Sequence, residues 1–445
     1  MKKCLLTIVV VLVGMQFMQT LCFARLEMHP RLSLREEFND NIFLNAVNEE
    51  SDFVTTAIPG LALNWFDRAI RLNLDYSLEF RKYLDNDSQD QTQIKEIQRG
   101  LAFGEIFPDQ DFSIEFLQAF FTETIDERLP VVPENPRINT TNVSQSIINP
   151  QYRHQFTTKF IALIDYRFEN LAYESPDSDD VLSHNVRIEL KKQLSPRLEA
   201  LIGGDFGAFN NSINEDYNRQ SGYAGFSAQL SSRLVLDAVV GESWLDFDHQ
   251  ESEDTMVGDV LALLDLSRGV SLGAGWSQDF GNATDDGVYL RRLVRIITGW
   301  NLPAARVSGN SLYAWRNKYS EVGSERLLGR EILSGLRQSS LELNLDSSEK
   351  EFYSNNREDK EKGLNVAGNL YLGDDWHLLV GGELTELILD PGDVNINRIG
   401  FDTGFEYRRL NYTFSLRYFY REDDSDIDSN DFQNNIVFLQ AAIQF

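Results

Sequence analysis

AIRLNLDYSLEFRKYL, residues 69–84, decides the fold. Ile70, Leu72, Leu74, Tyr76, Leu78 and Phe80 alternate there with Arg71, Asn73, Asp75, Ser77, Glu79 and Arg81. A helix turning about 100° per residue would scatter those apolar side chains around its whole circumference. A strand puts them all on one face, leaving charge of both signs on the other.

The pattern recurs to the end of the chain. Leu410, Tyr412, Phe414, Leu416, Tyr418 and Tyr420 share one phase, and Ile399, Phe401, Phe405 and Tyr407 alternate with Arg398, Asp402 and Glu406. Val270, Leu272, Ala274 and Trp276 alternate with serines and glycines, while the runs at 111–125 and 255–266 are ragged. Connections alternate between short turns, such as 66–68, 195–197 and 408–409, and longer loops, such as 39–52, 126–150, 174–180 and 421–431. The longer loops hold nearly all the excess acid of a chain whose net charge is −28, a balance that speaks against nucleic acid as a partner.

Tight turns at one end and long loops at the other, joined by strands with one apolar face, are the pattern of an outer-membrane barrel. The expected fold is all-β: a single transmembrane antiparallel up-and-down β-barrel of about 22 strands (range 18–22), with short periplasmic turns and longer acidic extracellular loops. Parity of the connections requires a tight turn near Lys159. A soluble sandwich or propeller also alternates. Against it stands the near absence of charge on apolar faces of about 9–11 residues, the length of a tilted membrane strand. A single arginine or lysine at mid-bilayer on such a face would cost roughly 2–4 kcal/mol. Trp65, Trp300, Trp376, Tyr407 and Phe445 end these faces on the short-turn side, and Phe80, Tyr319, Tyr418 and Tyr420 on the loop side, as interfacial girdles require.

Residues 1–24 combine Lys2 and Lys3, an apolar run and a small residue at Ala24, the form of a cleaved secretory signal, which leaves 25–445 for the barrel. A membrane anchor is the alternative, but the run falls short of the roughly 20 residues that a spanning helix needs. Leu21 before Cys22 is larger than lipoprotein sites require. Both cysteines, Cys4 and Cys22, fall inside this segment, so the barrel has no disulfide or thiolate metal site. At the other end Leu439, Ala441, Ile443 and Phe445 keep one phase, and Leu439, Ile443 and Phe445 resemble the C-terminal insertion signal of bacterial outer-membrane proteins.

The stretches SLREEFNDNIFLN (33–45), SDFVTTAIPGLAL (51–63) and LNLDYSLEFRKYL (72–84) resemble the start of a family of outer-membrane β-barrel porins encoded with exopolysaccharide loci, including loci that carry exosortase sorting systems. The resemblance implies a role in moving or anchoring an extracellular polysaccharide at the outer membrane. It brings no catalytic residues.

Several constellations bear on chemistry. If Val294, Ile296 and Trp300 face lipid, Arg291 and Arg295 face the lumen; on a following strand Tyr313, Trp315 and Tyr319 would face out, turning Arg306, Arg316 and Lys318 inward. Such a basic strip suits an anionic sugar polymer or sets ion preference. Lumenal salt bridges that stiffen the wall are the other reading. Asp424, Asp426 and Asp428 are spaced like a calcium loop, but Ser429 and Asn435 stand where that loop needs Gly and a bidentate Glu. The proline-bearing loop 126–150 is the candidate for a constriction folded into the lumen, with simple exposure as the alternative. His29, His154, His184, His249 and His377 show no metal-ligand spacing, so neither metal nor cofactor is expected.

The function expected is a porin-like channel, without enzymatic activity, for export of an exopolysaccharide. The alternatives are a structural or adhesive barrel that holds polymer or lipopolysaccharide through its acidic loops and, more remotely, an outer-membrane lipid-modifying enzyme. Partners expected are outer-membrane lipid and lipopolysaccharide, the barrel-assembly machinery, the polysaccharide and periplasmic export proteins.

Overall fold

The computed structural model describes residues 25–126, 129–130, 132, 138–267, 269–283, 287–300, 339–355, 357–373, 375–390, 394–427 and 430–445. The expected signal, residues 1–24, lies outside them. The alternating runs become strands β1 (Arg25–Asn39), β2 (Asp52–Phe66), β3 (Ile70–Leu78), β4 (Phe80–Tyr83), β5 (Gln98–Ile106), β6 (Phe112–Thr124) and β7 (Thr140–Thr157). Next come β8 (Phe160–Tyr173), β9 (Val181–Ser195), β10 (Leu198–Asn211), β11 (Tyr217–Gln229), β12 (Leu234–Phe247), β13 (Glu253–Ser267) and β14 (Val270–Ala283). The last are β15 (Gly287–Trp300), β16 (Ser340–Phe352), β17 (Arg357–Tyr371), β18 (Trp376–Leu389), β19 (Val394–Arg409), β20 (Tyr412–Ser425) and β21 (Phe432–Gln444).

Neighbours in sequence pair antiparallel, and β1 pairs with β21 from Arg31 opposite Gln444 to Asn39 opposite Ile436, closing the sheet on itself. The stretch 69–84 forms one stave of the wall in two pieces. Gly60 opposes Ser77 and Ala57 opposes Phe80, so β3 and β4 hold one register against β2 across the interruption at Glu79. There the Glu79 N–H donates to the Ile97 carbonyl at 2.8 Å, where a single helical turn, Ile94–Ile97, leads into β5.

With β3 and β4 sharing a stave, the closed sheet has twenty staves among the described residues, inside the expected range of 18–22 and two fewer than the favoured 22. The difference has one source. β15 pairs directly with β16, from Tyr289 opposite Phe352 to Trp300 opposite Leu341. Its other edge is held by β14, so β15 is paired on both sides. Residues 301–338, which supplied the two surplus strands, lie outside the described residues. The turn near Lys159 is present: β7 ends at Thr157, β8 begins at Phe160, and the Lys159 N–H donates to Thr157 Oγ1 at 3.2 Å.

Parity separates the faces as expected. Leu34, Phe405, Leu416 and Leu439 lie exposed on the outside, while Glu37, Asn39, Glu406 and Ser415 in the opposite phase are buried inside. Trp300, Trp376 and Phe445 stand exposed at the short-turn end, where Trp376 opposes Tyr407 with ring centroids 5.0 Å apart. Phe80 is exposed at the loop end; Tyr319 lies outside the described residues. On β15–β18 the outer face turns charged near the loops, Arg292 pairing with Glu349 at 3.2 Å and Glu351 at 3.0 Å, and Lys362 with Glu386 at 2.8 Å.

The ragged runs have a physical reason. On β6 the inward Leu117, Ala119 and Phe121 are as apolar as the outward Phe112, Ile114 and Phe116. On β13 Val257 and Leu261 are buried while Met256 is exposed on the other face. Both faces are apolar there because the interior holds hydrophobic clusters of its own. One joins Phe209, Tyr217, Tyr223, Val239, Leu245 and Val257 with other buried residues from β9 to β15.

Candidate functional site: the lumenal wall and its mouth

Away from those clusters the interior is lined by ion pairs of mixed sign. Arg31 reaches Asp75 at 2.7 Å, and Glu79 gathers Arg81 at 2.6 Å, Arg35 at 3.4 Å and Arg99 at 3.8 Å. Further round, Arg187 meets Asp165 at 2.7 Å, Lys191 meets Glu189 at 3.2 Å and Arg219 meets Asp279 at 2.9 Å. Some of these pairs lie within one strand, such as Glu189 with Lys191, and others reach across staves, such as Arg31 of β1 to Asp75 of β3 and Arg219 of β11 to Asp279 of β14.

Of the expected basic strip, Arg291 and Arg295 sit on the inner phase of β15, opposite Lys350 and Asp346 of β16. Arg306, Arg316 and Lys318 lie outside the described residues. A carboxylate therefore stands across from Arg295, within a wall of paired charges.

Glycines let these side chains lie flat. The Asp402 carboxylate rests where a Cβ on Gly381 would be, and the Asp346 oxygens lie 3.0 Å from the corresponding point at Gly363. A larger residue at either place would lift the carboxylate off the wall and toward the axis.

Residues of two loops pack on the inner wall at the loop end. Residues 40–51 fold inward: Ile42 packs on Val54 and Tyr83, while Leu44 packs with Phe419, Phe432, Ile436 and Phe438, inner-phase residues of β20 and β21. Asparagines hold the turn in shape. Asn41 Nδ2 donates to the Asn45 carbonyl at 2.9 Å and the Gln433 carbonyl at 3.0 Å, its Oδ1 accepts from the Asn45 N–H at 2.9 Å, and Asn434 Nδ2 donates to Asn39 Oδ1 at 2.6 Å. Leu44 adopts φ 54° and Asn48 φ 58°. A left-handed backbone costs a non-glycine residue about 1–2 kcal/mol. Burying a leucine contributes roughly 1.5–3 kcal/mol, which offsets it.

The second loop runs from 125 to 139, shorter than the 126–150 expected, because β7 begins at Thr140 and Pro150 is a strand residue opposite Ile114. Pairing of β7 with β8 skips Asn149 and Pro150, since proline offers no N–H to the ladder. Val132 is buried in the same cluster as Leu44, and the Leu129 carbonyl accepts from Arg398 Nη2 of β19 at 3.3 Å. Leu129 and Val132, from a loop rooted on β6 and β7, thus meet the inner wall at β19–β21.

The acidic residues at the loop end act mainly as acceptors. The Asp52 carboxylate takes N–H groups of Phe53, Leu84, Asp85 and Asn86 at 2.7–3.1 Å, and Asp179 takes those of Ser212 and Ile213 at 2.8 and 2.9 Å. Asp426, from the aspartate run 424–428, accepts from Asn395 through the backbone N–H at 3.0 Å and Nδ2 at 2.9 Å. These two hydrogen bonds hold its carboxyl below the usual range. Asp428 lies outside the described residues, among which no group of three or more His, Cys, Asp or Glu could hold a metal ion.

The inward fold of residues 40–51 escaped sequence reading, although Ile42, Phe43 and Leu44 form an apolar triplet inside a polar loop. So did the interior clusters, although Leu245 and Phe247 share the phase opposite to the exposed Trp244.

No family model and no curated protein matches the chain. Solved structures do. The FrpB iron transporter of Neisseria meningitidis (F5-1 variant) aligns at a TM-score of 0.50 and 9% identity, over 94% of this chain and 83% of that one. OccK2 (OpdF) of Pseudomonas aeruginosa aligns at 0.42 and 11% identity, over 94% and 98%. The likeness to FrpB is one of fold: a large closed antiparallel barrel.

Proposed function

We propose that the chain is an outer-membrane channel through which an anionic or neutral exopolysaccharide leaves the cell, with residues 1–24 removed as its export signal. The observation that carries the channel is the contrast of faces on a closed wall. Exposed Leu34, Phe405, Leu416 and Leu439 look outward, and Arg31, Asp75, Glu79, Arg219 and Asp279 pair inside. Hydrocarbon suits the first face and water the second. Leu439, Ile443 and Phe445 then give the assembly machinery its C-terminal strand, on which Leu439 and Phe445 are exposed. The N-terminal resemblance supplies the polymer.

An adhesive role is the weaker reading, because Asp52, Asp179 and Asp426 already spend their oxygens on neighbouring loops. Purified protein in a planar bilayer tests the channel. Steps of ion conductance are expected, larger in a variant lacking residues 127–137. Silence from both forms, each shown to be folded, would sink it. Deleting the gene tests the cargo: polymer should accumulate in the periplasm, and undiminished export would remove the polysaccharide from the proposal.

A further inference from the structure

The ladder between β13 and β14 stops short of both strand ends. It runs from Ser267 opposite Val270 to Gly258 opposite Gln278, although β13 begins nearer the loops at Glu253 and β14 continues to Ala283. Continued in register, it would set Phe280 beside Met256, which is 53% exposed on the outer face; Phe280 is instead 4% exposed. The buried Arg219 guanidinium of β11 lies 5.4 Å from its ring centroid, and the Tyr217 hydroxyl of β11 donates to Asn282 Oδ1 at 3.0 Å, with β12 and β13 between the two strands. Val288 and Leu290, in the outward phase of Val294 and Ile296, are buried in the interior cluster with Phe209, Leu245 and Val257. The loop ends of β14 and β15 have therefore passed inside the wall and turn their outward phase against the inner face of its neighbours.

The other flank of this block is parted too. β17 pairs with β18 only as far as Lys360 opposite Ile388, leaving residues 357–359 beyond that ladder. Between the two seams the strands stay joined, Tyr289 opposing Phe352 and Phe352 opposing Arg357, and the Tyr353 ring rests near Phe247 of β12 and Phe280, with centroids 6.2 and 6.0 Å away. At each seam a side chain stands where the backbone pairing ends. Gln278 Nε2 donates to the Met256 carbonyl at 2.7 Å, and the Asp359 carboxylate accepts from the Asp390 N–H at 3.2 Å. The outer-face charges Arg292, Glu349 and Glu351 lie on this same block, where it has withdrawn from the line of the wall and from hydrocarbon.

We propose that the loop ends of β14–β17 form a panel, hinged at Gln278 and Lys360, that moves between this inner position and one in line with the wall and so sets the width of the lumen. The sequence suits both places. Phe280, Val288 and Leu290 fit lipid as well as they fit the interior cluster, and neither 253–257 nor 279–283 contains a proline to bar the ladder. In line with the wall the panel gains pairs from Val257 opposite Asp279 to Glu253 opposite Ala283; inside, it gains the apolar contacts instead. The effect on width rests on the channel reading.

A disulfide that needs the wall position tests it. Met256 points out and Phe280 points in, so their side chains diverge in the inner position, whereas the continued register makes them neighbours within the ~7 Å that such a bond spans. With Cys4 and Cys22 changed to serine, Met256→Cys with Phe280→Cys should oxidise in the membrane, and the ladder pair Val260→Cys with Trp276→Cys is the control. A wall position occupied for about a tenth of the time makes the first bond form roughly tenfold more slowly than the control. Gln278→Leu, which removes one tie, should narrow that gap. Oxidation should raise the single-channel conductance of the 256–280 variant, and reductant should restore it. Asp254→Cys with Asn282→Cys, the next outward pair, repeats the trial if the first variant does not fold. No 256–280 bond beside a complete control bond would overturn the hinge, and a bond that leaves conductance unchanged would overturn its hold on width. A bond formed with no current from any variant, oxidised or reduced, would keep the hinge and overturn the channel instead.

Discussion

At Asp52 one carboxylate serves five donors: the N–H groups of Phe53, Leu84, Asp85 and Asn86, and Asn86 Nδ2. Hydrogen bonds to a charged acceptor contribute about 1.5–3 kcal/mol each where the donors would otherwise be unpaired. Asp52→Ala should therefore free the chain at 84–86, read as amide exchange there rising by an order of magnitude or more while the strand pairs of β2 keep their protection. Asp426 gives a pH test. Its carboxyl is held below the ordinary value by Asn395, so the tie contributes stability above the unfolded carboxylate range and loses it as pH falls through the lowered value. Near-neutral titration should leave the Asn395 amide signals still, and acid below about pH 4 should shift them; movement between pH 6 and 8 would contradict the assignment. That acid gathers at one end was legible from the sequence. Which N–H groups it serves was not, because the donors lie 31 to 35 positions away along the chain.

Strands were legible to the extent that their two faces differ. Residues 70–80 keep one phase and lie in one stave, interrupted at Glu79, and the turn at Lys159, which constant phase hides, follows from the parity of the connections. The runs at 111–125 and 255–266 resisted because β6 and β13 bury apolar groups inside as well as out. Residues 301–338, where alternation predicts two further strands, lie outside the described residues; β15 is paired on both edges, by β14 and by β16. The pairing is testable. Ile296 and Leu345 oppose each other on the outer face, so Ile296→Cys with Leu345→Cys should oxidise to a disulfide. Two further strands between them would hold the pair at about three strand spacings, roughly 14 Å, beyond the ~7 Å that such a bond spans.

For the barrel as a whole, the sequence announced an apolar exterior and a polar interior, and adjacent residues should report it. A spin label at Leu74 should sense lipid and one at Asp75 water, since Leu74 shares the outward phase of Phe80 while Asp75 pairs inward with Arg31. Equal wetting of both would reverse the account. The filled parts of the interior were hidden because they depend on loops returning to a wall that lies far from their roots. Leu44 meets β20 and β21, and Val132 meets the same patch from β6 and β7. Neither contact leaves any trace in local periodicity.

The seam between β1 and β21 has a consequence for biogenesis. It joins residues 31–39 to 436–444. Every other stave can find its neighbour within a hairpin or a single connection, but this last ladder must wait until the far end of the polypeptide exists. Until then the growing sheet carries two bare edges and an oily flank, a species prone to stick to its own kind. Removing positions 436–444 should leave β1 and β20 each with a bare edge along this seam, and a chain so shortened should be cleared by proteases.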